Sequence, residues 1–127
     1  MKLVGTFFFL LLALFVFLKL GHAQVSQDSE VIAQLRKAGS NLAKPHTIEF
    51  FLYFPSKEAA GRVAAQLNAQ GYSAKSDRAA KGDDWLVLAT KSMVPTEATL
   101  IEEREHLHSL AQSEGGEYDG WGTPVVK

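Results

Sequence analysis

Apolar and polar positions along this chain fall into blocks, and the spacing within a block changes from one to the next. Residues 4–18 (VGTFFFLLLALFVFL) are almost continuously apolar. Across residues 25–43, Val31, Ile32, Leu35, Ala38 and Leu42 keep close to a 3.6 period. That spacing predicts a helix, with Ser29 as a cap and Gly39 ending or bending it. Pro45 then pushes Lys44 towards an extended backbone. Residues 47–54 (TIEFFLYF) are aromatic and β-branched, close at Pro55, and are apolar on both faces, which suits an inner strand.

The period then returns to that of a helix. Ser56 is a good N-cap with Glu58 in the first turn, Ala60, Val63, Ala64 and Leu67 form one stripe, and Gly71 suits the residue just past the end. Residues 72–79 alternate loosely and predict a weaker strand, and residues 81–84 a turn. Residues 85–90 (WLVLAT) predict a second inner strand. Pro95 and Thr96 open a long helix over 97–114, with Leu100, Leu107, Leu110 and Ala111 inward and Glu102, Glu103, Arg104 and Glu105 mostly outward. Gly115 and Gly116 stop it, and residues 117–126 supply a last short strand. The order is a helix followed by β-α-β-β-α-β. This predicts an α+β, ferredoxin-like domain: a four-stranded antiparallel sheet with two helices on one face.

The leading apolar block sets the compartment. Lys2 supplies a positive start, and Gly21, His22 and Ala23 place small residues where a signal peptidase reads, so cleavage is expected before Gln24. The alternative is an uncleaved anchor, but fifteen helical residues rise only about 22 Å against a hydrocarbon core of ~30 Å. The chain is thus read as a leader over 1–23 and one domain over 24–127, exported to the periplasm or secreted.

Composition narrows the chemistry. Two of the thirteen basic residues lie in the leader, which leaves eleven against fourteen acidic residues and a net charge near −3. Nucleic-acid affinity needs clustered cations, so RNA or DNA is not the expected partner. RNA-recognition domains share this element order, and Phe51, Tyr53 and Trp85 could share the open sheet face, but Asp83 and Asp84 stand where a basic run is needed. With no cysteine, thiol chemistry, disulfides and Cys-based zinc sites are excluded.

The remaining candidates are weak as chemistry. His106 and His108 diverge by about 200° on a helix, Glu102 and His106 share a face but need a third ligand, and His46 is distant in sequence. No metal, cofactor or catalytic set is expected. Glu117 and Asp119 flank Tyr118 on one side of an extended segment. Trp121, between Gly120 and Gly122, reads as an anchored indole or, if exposed, as an interface anchor.

Three segments together carry a resemblance: residues 45–55 (PHTIEFFLYFP), 85–91 (WLVLATK) and 116–122 (GEYDGWG). They resemble the regulator of ribonuclease E activity B family over about Ser29 to Val125. The resemblance implies a non-enzymatic ferredoxin-like domain that inhibits a cytoplasmic ribonuclease by binding the protein, not its RNA, and it implies no catalytic residues. The leader departs from that picture, since an exported domain cannot meet a cytoplasmic enzyme. The expected function is therefore regulatory binding of an extracytoplasmic protein, through Glu102, Glu103 and Glu105 with Glu117, Tyr118, Asp119 and Trp121. Two alternatives are a periplasmic small-ligand or metal-sensing module with an apolar pocket near Tyr53 and Trp85, and a cytoplasmic ribonuclease E inhibitor if the leader does not act.

Overall fold

The computed structural model describes residues 24–80 and 82–127, with side chains from residue 27. The leader and its cleavage position lie outside the described residues, as does Lys81 in the expected turn. The elements are α1 (Gln24–Lys37), β1 (His46–Phe54), α2 (Lys57–Ala69), β2 (Ser73–Arg78), β3 (Trp85–Met93), α3 (Glu97–Ser113) and β4 (Glu117–Gly122). The strands pair antiparallel in the order β2-β3-β1-β4. The two strands read as inner, β1 and β3, are the central pair, and the fold is the expected ferredoxin-like one. No helix among the described residues is long and apolar enough to cross a membrane.

Strand alternation decides which side chains meet the helices. Ile48, Phe50, Leu52 and Phe54 of β1 join Val87 and Ala89 of β3 in one buried cluster. Ala60, Val63 and Leu67 of α2 and Leu100, Leu107 and Ala111 of α3 close over them. Phe51 and Tyr53 point to the reverse face and are buried too. Because Trp85 pairs with Phe54, it stands on the helix side. The expectation that Phe51, Tyr53 and Trp85 share the open face is therefore corrected by register, since successive residues of β1 point to opposite faces.

The helix ends follow the caps read from sequence. Ser56 Oγ accepts from Ala59 N at 3.1 Å, and Thr96 Oγ1 from Thr99 N at 3.1 Å. Ser29 does not cap: α1 starts at Gln24, which leaves Ser29 inside the helix with its hydroxyl on the Glu97 carboxylate. β3 runs to Met93, beyond the predicted Thr90, because it pairs along the whole of β1. Between Phe50 and Leu52 the register to β4 slips by one, so Asp119 and Gly120 both face Phe51. Gly120 takes the positive φ of this bulge, 109°. The slip lets Tyr118 and Trp121, three residues apart, both turn towards the helices.

Candidate functional site

The acidic run of α3 divides into two parts. Glu102 and Glu105 are exposed. Glu103 faces sideways, accepts from the Tyr72 hydroxyl and lies 3.6 Å from Lys91 Nζ. Lys91 also sits over the Tyr72 ring, 4.6 Å from its centroid. Burial, and then the Glu103 carboxylate, push the Tyr72 phenol above its ordinary range. Glu103 is thus held by the fold, whereas Glu102 and Glu105 are open to a partner.

Arg104 departs from the outward reading. Its Nε lies 2.8 Å from Asp28 Oδ2, and the Arg104 side chain is only 12 % exposed. The other carboxylate oxygen of Asp28 accepts from Trp121 Nε1 at 3.2 Å. Leu100, Arg104, Leu107 and Ala111 are spaced 4, 3 and 4 apart, so Arg104 lies in the inward stripe of α3. Asp28 is in phase with Val31, Ile32 and Leu35 on α1 in the same way. Burial raises the Asp28 carboxyl above its usual range against the pull of Arg104 and of the Trp121 N–H. Arg104 Nη2 and the Tyr118 hydroxyl are buried with no hydrogen-bond partner among the described residues.

The closing segment is therefore mostly interior. Trp121 is 2 % exposed, Asp119 is 4 % exposed, and the Tyr118 ring packs against the core cluster. Burial, followed by Asp28 and Glu103, raises the Tyr118 phenol well above its ordinary value. Of the four residues singled out here, Glu117 alone is exposed. Burial and the Asp119 and Asp84 carboxylates also push the Tyr53 phenol up.

The histidines do not converge. His46 is buried and bridges Ser40 Oγ at 2.6 Å and the Lys44 carbonyl at 2.8 Å. His106 pairs with Gln70 Oε1 at 2.7 Å. Among the described residues, no group of three or more His, Asp or Glu is placed to hold a metal ion. A shallow depression of about 230 Å³ is lined by Tyr53, Phe54, Pro55, Asp84, Gly115, Gly116 and Glu117. Trp85 is not among its walls, and two of them are carboxylates. A second groove of about 390 Å³ runs between α1 and the start of α3, past Ile32, Arg36, Leu42 and Pro95.

The architecture defines a small ferredoxin-like α+β domain with an added N-terminal helix, a buried Arg104–Asp28 ion pair in its interior, and an acidic outer helix. The chain belongs to the regulator of ribonuclease activity B family, whose model matches residues 26–123. That family is one of regulators, not of catalysts. No curated protein matches the chain.

Proposed function

We propose that this chain is a non-catalytic, protein-binding regulator that acts on an extracytoplasmic partner. The observation that carries the regulatory, protein-binding reading is family membership over residues 26–123. The leader pattern of residues 1–23 supports export. The binding face is the outer side of α3 and does not include Glu117, which is paired with Tyr53 and stands on the opposite face of the sheet. It is centred on Glu102 and Glu105, with Glu103 behind it. These carboxylates suit a partner surface rich in Lys and Arg. Trp121 and Tyr118 act beneath that face, with the Trp121 indole joining β4 to Asp28 and so to α3. Asp119 is buried on the other face of the sheet beside Tyr53, and none of the three acts as a contact.

The family description favours a second reading, in which a ribonuclease itself is the regulated protein. That reading requires the chain to remain in the cytoplasm. Sequencing the N-terminus of the product from fractionated cells separates the two. A chain starting at Gln24 outside the cytoplasm supports the first; an intact chain in the cytosol overturns it and returns the ribonuclease as target. For the face itself, E102K/E105K is the informative variant, because it spares Glu103 and its bonds to Tyr72 and Lys91. Capture of the partner should fall by on the order of tenfold or more, the equivalent of ~1.4 kcal/mol. Unchanged capture removes this face.

A further inference from the structure

The outer edge of the sheet at β2 is closed by side chains. Ala79 N donates to the carbonyl of Asp84, directly opposite in the β2–β3 register, at 3.0 Å. Ser73, Lys75 and Asp77 therefore turn their backbone groups towards β3, and Ala74, Ser76 and Arg78 turn theirs outward. Asn68, on the exposed side of α2, reaches this edge. Its Nδ2 donates to the Ala74 carbonyl at 2.9 Å, and its Oδ1 accepts from Ala74 N at 2.9 Å. The carboxamide thus makes the two bonds that a neighbouring strand would make. Asp77 Oδ1 accepts from Arg78 N at 2.9 Å and takes a third outward group. Among the described residues, only Ser76 keeps both its outward groups open.

We propose that β2 is a latent strand-pairing surface for a second copy of this chain, held shut by Asn68. The charges on the strand select one register. Two β2 strands can pair antiparallel through their outward groups with Ser76 opposite Ser76. Lys75 of each copy then faces Asp77 of the other in a non-hydrogen-bonded pair, where side chains approach most closely. Shifting the register by one step either way sets Lys75 against Lys75, or Asp77 against Asp77, both repulsive. In the favoured register Asp77 exchanges its bond to Arg78 N for the partner's Lys75, and Ala74 exchanges Asn68 for the partner's Arg78. An unguarded edge of this kind invites pairing, and a side-chain plug is one way to prevent it.

The test is the mass in solution of protein purified from cells expressing the full chain. N68A removes the plug at an exposed helix position where alanine is a better helix former. Its mass should be double that of the wild type. N68A/K75D should return to the wild-type mass, because aspartate then faces aspartate. N68A/K75D/D77K should double again, with the pair restored in reverse. N68A at the wild-type mass overturns the proposal, as does N68A/K75D associating as well as N68A.

Discussion

Arg104 and Asp28 are 76 residues apart in the chain and 2.8 Å apart in the fold, Nε to Oδ2. This contact fastens α1, the helix added to the ferredoxin-like frame, to α3, and through Trp121 Nε1 to β4. It is buried on both sides, with side-chain exposures of 12 % and 5 %. Replacing one member leaves an uncompensated charge in the interior, at a cost of ~3–5 kcal/mol. D28A should lower the urea midpoint accordingly. Replacing both residues with apolar ones, as in D28L/R104M, should recover only part of the loss, because the buried Trp121 Nε1–H is still left without its acceptor. A D28A variant unfolding with the wild type would show that α1 is not held by this pair.

The frame was legible because its signals are local. The apolar runs of β1 and β3, the caps Ser56 and Thr96 and the terminating Gly71 each act within a few residues, and each is where the pattern put it. What escaped depends on partners far along the chain. Arg104 sits among three glutamates that mask it, although its spacing to Leu100 and Leu107 places it on the inward stripe. Trp121 was open between anchor and interface until Asp28, 93 residues earlier, fixed its indole N–H. The face of Trp85 is not legible locally, because face assignment follows parity, and parity follows register, which no single strand specifies. The guard at Asn68 leaves no trace in hydrophobic pattern, since both it and β2 are polar and exposed.

Ser40 ties the C-terminal segment to the start of the sheet. Its hydroxyl meets His46 Nε2 at 2.6 Å and accepts from Val126 N at 2.9 Å, while Asn41 N donates to the Val126 carbonyl at 2.6 Å. S40A removes the partner of a buried imidazole nitrogen and of a backbone amide together. The expected loss is ~1–3 kcal/mol, the range for an unsatisfied buried polar group. Amide exchange at Val126 should quicken before that of β1. Equal protection in S40A and wild type would mean that the segment is held elsewhere.

All three tyrosines have phenols raised above their ordinary value, Tyr53, Tyr72 and Tyr118 alike, with burial as the first cause in each. A folded value above the unfolded one means that the unfolded chain loses these protons first. The stability they contribute is then present in full below the unfolded value of about 10 and is lost as pH rises through the folded values. Phenolate absorbance should stay flat through the ordinary tyrosine range and rise only together with loss of the circular dichroism of the helices. A separate titration step near pH 10 in the folded protein would place at least one of these rings in water.

Gly115 and Gly116 both close α3, yet they should respond differently to alanine. Gly115 has φ +73° and open space where a Cβ would stand, so G115A meets backbone strain of ~1–2 kcal/mol and nothing more. Gly116 needs no unusual φ, but its Cβ would land inside the contact distance of the Phe54 ring and the Tyr53 carbonyl oxygen. Neither can step aside. Phe54 belongs to the buried cluster, and Tyr53 is in the central strand, opposite Leu86 on one side and Glu117 on the other. Gly116 N is itself fixed to the Ala111 carbonyl at 2.8 Å. G116A should therefore cost at least the ~1–3 kcal/mol typical of overpacking. It should unfold at lower urea than G115A, and the reverse order would show that the end of α3 shifts freely against β1.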